Sequence, residues 1–146
     1  MSLKRPNQPS LVKRLNAAQF TETFVSNPEK NYCILEIIKE HCGACAYATK
    51  VNDAIGYKME KHGYEVPIYR MMINNGLPIG QLPFSPMYIL VKKNDENQIS
   101  EIKTLAGPLK GGNKFLKEIE EATNLAGLTE RVRIDNKTQM HAWITG

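Results

Sequence analysis

Cys42 and Cys45 stand in a C-x-x-C spacing, with an apolar run, Tyr32 to Ile38, before them and a helical pattern, Ala44 to Lys61, after them. Two thiols therefore sit where a strand hands over to a helix. Few arrangements constrain a fold as tightly. The first turn of a helix carries unpaired backbone N–H groups and the positive end of the helix dipole, and both favour thiolate over thiol. Three readings of the pair are open on spacing alone: a redox pair, half of a metal site, or two core cysteines. A zinc site would need two more ligands. Cys33, His41, His62 and His141 are the only candidates, and they hold no second tight pair.

The rest of the chain is read outward from that junction. Residues 1–10 are polar with two prolines and read as an arm. They lack the apolar core of a signal peptide. Leu11 to Leu15 gives a short strand or lead-in. Asn16 and Gln19 are spaced as a capping box, with Leu15 and Phe20 as its hydrophobic staple and Phe24 on the same face. Ser26-Asn27-Pro28 stops that helix. Tyr32 to Ile38 is short and β-branched, as a strand covered on both faces would be. Glu36 interrupts it, pointing either to an edge or into the interior for a reason. In the next helix Ala44, Ala48, Val51, Ile55 and Met59 form one stripe, and His62-Gly63 closes it.

Val66 to Ile73 is the next strand. Asn74 to Pro86 is a loop punctuated by proline and glycine. Met87 to Val91 is a second continuous apolar strand. Lys92 to Gln98 is a polar turn, and Ile99 to Leu105 completes a hairpin. Asn113 is placed to cap a last helix bearing Phe115, Ile119, Ala122 and Ala126 and ending at Gly127. The segment 128–146 shows no clear pattern and holds the single Trp143. An early strand–helix–strand crossover favours parallel pairing, and the late hairpin forces antiparallel pairing. The expectation is an α/β domain over 11–127, with a central mixed β-sheet flanked by helices on both faces.

The pattern resembles the thioredoxin family from about Leu11 to Leu125. Cys42-Gly43-Ala44-Cys45 matches the redox motif, Glu36 the buried acid, Ser85-Pro86 the cis-proline pair, and Gly107 a glycine of the substrate groove. The sequence departs from the family's usual residues at His41, where a tryptophan is common, at Ala44, where proline is common, and in having glutamate at position 36. The resemblance implies a thioredoxin fold and a thiol–disulfide oxidoreductase of a divergent branch that reduces or exchanges protein disulfides. In that reading Cys42 is the outer nucleophile and Cys45 resolves the mixed disulfide. Glu36 takes the Cys45 proton. His41, Gly43, Ala44, Ser85, Pro86 and Gly107 contact substrate. His41 either assists the Cys42 thiolate or lines the rim. Pro86 is either a loop proline or the cis residue facing the cysteines.

No cofactor is implied beyond the Cys42–Cys45 disulfide, and no metal. The partners are protein disulfides or dithiols and an unidentified redox partner. A competing reading keeps the fold as a protein-interaction module without redox turnover. The net charge of +4 is mild and its lysines and arginines are scattered. Nucleic-acid binding is therefore not called for. No segment reaches the roughly 20 apolar residues of a membrane span. Three cysteines are too few for a disulfide framework. A monomer in the cytoplasm is the simplest expectation, with a periplasmic or secreted protein whose leader has been removed as the alternative. Arg70, Lys103 and Lys110 read as solvated charges, Arg70 alone being within possible reach of Glu36.

Overall fold

The computed structural model describes residues 12–40, 42–72 and 86–134. Five strands form one sheet in the order β1-β3-β2-β4-β5. These are β1 (Lys13–Arg14), β2 (Tyr32–Ile38), β3 (Ile68–Met72), β4 (Met87–Lys93) and β5 (Ile99–Leu105). β3 runs parallel to both β1 and β2. β4 runs antiparallel to β2 and to β5. The mixed sheet expected from the crossover and the hairpin is what forms.

Strand alternation sorts β2 into two faces. Cys33, Leu35 and Ile37 face one way and pack with Phe20 and Phe24. Ile34 faces the other way and packs with Ala48, Val51 and Ile55 of α2 (Gly43–Lys61), and with Phe115 and Ile119 of α3 (Gly112–Thr123). Glu36 has the parity of Ile34, so it lies on the α2 face. It is fully buried. Helices thus cover both faces.

The first helix begins as the capping box requires. Asn16 Oδ1 accepts the Gln19 N–H at 2.8 Å, and Gln19 Oε1 accepts the Asn16 N–H at 2.9 Å. The α-helical turn α1 (Ala17–Phe20) passes into a π-helical segment, Thr21–Val25. Phe20 and Phe24, four residues apart, stack at 5.5 Å and are both fully buried.

Several boundaries differ from the sequence expectation for identifiable reasons. Ala44, expected on the buried stripe of α2, is exposed. Cys45 and Asn52 are buried on that helix with Ala48, Val51, Ile55 and Met59. β3 starts at Ile68 rather than Val66, although the Pro67 carbonyl still accepts the Ile34 N–H at 2.9 Å. β4 continues through Lys92 and Lys93, with an irregular register between them, and Lys93 is buried. Gly111, not Asn113, is the N-cap of α3. Asn113 instead exchanges two 2.7 Å hydrogen bonds with the backbone of Ile134. α3 ends at Asn124, a left-handed residue, ahead of Ala126 and Gly127. Gly127 precedes α4 (Leu128–Val132). Leu128 and Val132 are fully buried in the cluster beneath α2. The arm at 1–10, the loop from Asn74 to Ser85 and Trp143 lie outside the described residues.

Candidate functional site

Cys42 occupies the N-cap of α2 in extended conformation, and its Sγ accepts the Cys45 N–H at 3.1 Å. An N-cap side chain satisfies one of the orphan N–H groups of a helix, and here sulfur takes the place that serine or aspartate oxygen usually fills. Cys42 and Cys45 are joined by a disulfide with their Cα atoms 5.2 Å apart. Cys42 is partly exposed, whereas Cys45, one turn in, is buried. Gly43 and Ala44 are exposed between them, and no described residue comes within 4 Å of where a Gly43 Cβ would stand. The outer sulfur is therefore approachable and the inner one is shielded.

A cavity of about 260 Å³ opens beside this disulfide. Among the described residues its wall includes both cysteines, Thr49 of α2, Met72 at the end of β3, and two cations, Arg14 and Lys39. Both cations are exposed.

Beneath α2 lies a buried polar network centred on Glu36. Register places it opposite Arg70 on β3 and Tyr88 on β4. Arg70 Nε donates to Glu36 Oε1. The Tyr88 hydroxyl donates to Oε2 at 2.7 Å, and Asn52 Nδ2 donates to the same oxygen at 2.9 Å. The other end of Arg70 reaches Asp53 Oδ1 at 2.8 Å and the Thr49 carbonyl at 3.2 Å. Both Glu36 oxygens are thus accepting, as a buried carboxylate requires. Burial acts to lower the Arg70 pKa, but Glu36 and Asp53 together outweigh it and the net shift is upward. Burial, then the charge of Glu36, push the Tyr88 hydroxyl far above its ordinary range. Asn52 Oδ1 is buried without a hydrogen-bond partner among the described residues.

Cys42, Gly43, Ala44 and Cys45 are brought together at the helix start. Glu36 is buried, not at an edge, and Arg70 reaches it. Pro86 is buried directly ahead of β4. Gly107 is buried with φ +85°, and the Tyr88 ring fills the space where a side chain would begin. Glu36, Tyr88 and Gly107 are therefore linked in sequence, hydroxyl to carboxylate and ring to glycine. His41, Ser85 and the Ser85–Pro86 peptide bond lie outside the described residues.

Asn52, Asp53, Tyr88, Arg14 and Lys39 are absent from the sequence reading of the site. Asn52 carries a usable signal, since it falls two turns after Cys45 on the inward side of α2. Tyr88 becomes visible only when β2 and β4 are aligned. The remaining cysteine, Cys33, is fully buried on the opposite sheet face, and burial pushes its thiol pKa well upward. Among the described residues no group of three His, Cys, Asp or Glu side chains could hold a metal ion. No helix there is long and apolar enough to cross a membrane.

No family model and no curated protein matches this sequence. Solved structures do match. The Trx4 domain of ERdj5 superposes with a TM-score of 0.63 at 11% identity, over 79% of this chain and 97% of that one. The first thioredoxin domain of mouse protein disulfide-isomerase A4 gives 0.63 at 13% identity, over 85% of this chain and 81% of that one. ERdj5 in its form I crystal structure gives 0.59 at 9% identity, over 80% of this chain and 15% of that one. At such identities the likeness is one of fold. Strand order, helices on both faces and the C-x-x-C disulfide at the start of α2 agree with it: this chain has the thioredoxin-like fold.

Proposed function

We propose that the protein is a thiol–disulfide oxidoreductase that reduces or exchanges protein disulfides through Cys42 and Cys45. One observation carries this reading. The outer sulfur is partly exposed at a helix N-terminus and accepts a backbone N–H at 3.1 Å, while its disulfide partner is buried. A sulfur so placed is stabilised as thiolate once the pair is reduced. The Cys42 thiolate attacks a substrate disulfide, forming a mixed disulfide and releasing one substrate thiolate. The Cys45 thiolate then attacks Cys42 Sγ. The second substrate sulfur leaves, and the Cys42–Cys45 disulfide forms. Two electrons pass from the protein to the substrate. A dithiol reductant restores the starting state, and the same steps run backward oxidise a dithiol.

In this reading Glu36 takes the Cys45 proton. What supports the role is its place on the α2 face of the sheet, the side on which Cys45 is buried. Arg70, Tyr88 and Asn52 are positioning residues that fix its carboxylate. Gly43 and Ala44, both exposed, face the substrate in this reading, and Pro86 and Gly107 are buried and would back that face. His41 and Ser85 are assigned to it by the family resemblance alone. An extended segment would be bound there through its backbone.

Insulin reduction and mass spectrometry test the scheme. Cys42→Ser should lower the reduction rate by at least about 100-fold. Cys45→Ser should accumulate a mixed disulfide on Cys42. Wild-type rates in both variants would end the redox reading. Glu36→Gln should slow release of the mixed disulfide by about 100-fold. Unchanged release would remove Glu36 from the mechanism and leave the cysteines in place.

A further inference from the structure

The cavity beside the disulfide is lined by two cations that nothing in the mechanism above uses. Arg14 lies on β1, the edge strand next to β3, in register with Arg70. Lys39 follows the last residue of β2. Arg14 and Lys39 thus come from strands on either side of β3, and both line the same 260 Å³ space as Cys42 and Cys45. Neither forms an ion pair with a described residue. No carboxylate stands among the described residues of that wall. The buried Glu36 and the half-buried Asp53 are both engaged by Arg70. Glu40 is exposed beside Lys39 in sequence but does not line the cavity. Among the described residues of the wall, nothing compensates this positive charge beside the disulfide.

We propose that Arg14 and Lys39 make this site selective for disulfides that carry a carboxylate close to the reacting sulfur. The proposal rests on the redox reading above and names its substrate class. A carboxylate held about 4 Å from one such cation gains about 1 kcal/mol where water still screens the pair, which is roughly fivefold in rate or affinity. Two cations sharing one acidic segment give roughly tenfold. The effect falls with salt, because both cations are solvated. The acid can be an aspartate or glutamate beside a protein disulfide, or a carboxylate of glutathione disulfide. The chemistry of recognition is common to the two.

The test uses the reduced full chain and four disulfides. Two are peptides of one sequence that differ only in Asp or Lys next to the disulfide. The others are glutathione disulfide and the uncharged hydroxyethyl disulfide. Second-order rate constants are measured at about 20 mM and 500 mM salt. The wild-type protein should react with the Asp peptide roughly tenfold faster than with the Lys peptide, and high salt should compress that ratio. The double variant Arg14→Glu/Lys39→Glu should reverse the order of the two peptides, which a general loss of structure cannot do. Preference for the Asp peptide alone assigns the site to acidic protein segments. A matching fall in the glutathione disulfide rate of the double variant extends it to that tripeptide. A ratio near one in the wild type, or an unreversed ratio in the variant, overturns the proposal. If hydroxyethyl disulfide reacts in that case, the redox reading stands without it. No reaction with any of the four removes both.

Discussion

Gly107 sits where two demands on one residue coincide. Its φ of +85° with ψ of −173° is a conformation that side-chain-bearing residues almost never adopt. A Cβ there would also stand 2.5 Å from Tyr88 Cδ1. The Tyr88 ring cannot swing away freely, because it packs edge-on against Phe115 at 5.1 Å and its hydroxyl holds Glu36. Gly107→Ala should therefore lower stability by about 2–4 kcal/mol, adding backbone strain to overpacking. Urea denaturation of the two proteins measures it. A loss under about 0.5 kcal/mol would show that the Tyr88 ring has room to yield. Glu36 shows what single residues disclose in advance. A carboxylate inside an apolar strand is conspicuous in the sequence, but whether it faces an edge or the interior depends on which strands flank it. Arg70 and Tyr88 are register partners of Glu36 from β3 and β4, and a one-residue slip in either pairing would separate them.

At the scale of elements, the α3–α4 junction is held by one half-buried carboxylate. Glu120 Oε1 accepts the Thr129 N–H at 2.7 Å and the Thr129 hydroxyl at 3.0 Å. These bonds tie the first turn of α4 to α3. The Thr129 backbone N–H and then its hydroxyl hold the Glu120 carboxyl below its ordinary 4.5. A carboxyl depressed in the folded state contributes stability above its unfolded pKa and loses it as pH falls through the folded value. The wild-type melting temperature should therefore fall more steeply between about pH 5 and pH 3 than that of Glu120→Gln, whose amide cannot be protonated in that range. Parallel curves would show that the Thr129 contact carries no proton linkage. None of this junction is visible in periodicity. α3 stops at Asn124, which closes the helix in left-handed conformation, whereas the sequence offers Gly127 as the more obvious stop. The π-helical segment Thr21–Val25 is equally silent in sequence. Its C-terminal end is held by Lys93, whose Nζ donates to the Phe24 and Asn27 carbonyls at 2.6 and 2.7 Å. The strand that supplies Lys93 reads in sequence as already turning.

The whole molecule has two apolar layers, one on each face of a five-stranded sheet, and both were largely legible. The seven residues of β2 coincide with the apolar run read in the sequence, because continuous burial on both faces leaves no polar position except one with a purpose. The start of α2 was legible for a similar reason, since the cysteine spacing fixes a helix turn. Long-range partners were not legible, because cations such as Arg14 and Lys39 come to line the space beside the disulfide only after three strands have been ordered. α4 is the sharpest instance at this scale. Its five residues are too few for a periodic signal, and the sequence offers no boundary beyond Gly127. Yet Leu128 is completely buried in the layer that contains Ile34, Ile55 and Phe115. Removing its side chain would leave a void in that layer, since neighbours on α2, α3 and β2 belong to separate elements and cannot all close in. Leu128→Ala should therefore cost about 2–5 kcal/mol. Leu109, 45% exposed in the 3₁₀ turn Pro108–Lys110, provides the control. Leu109→Ala removes the same atoms from a surface position and should stay within about 0.5 kcal/mol. Equal losses in the two variants, measured by urea denaturation, would mean that α4 rests on the domain without contributing to its core. A large loss at Leu128 alone would make α4 an integral part of the layer that supports Glu36 and the start of α2.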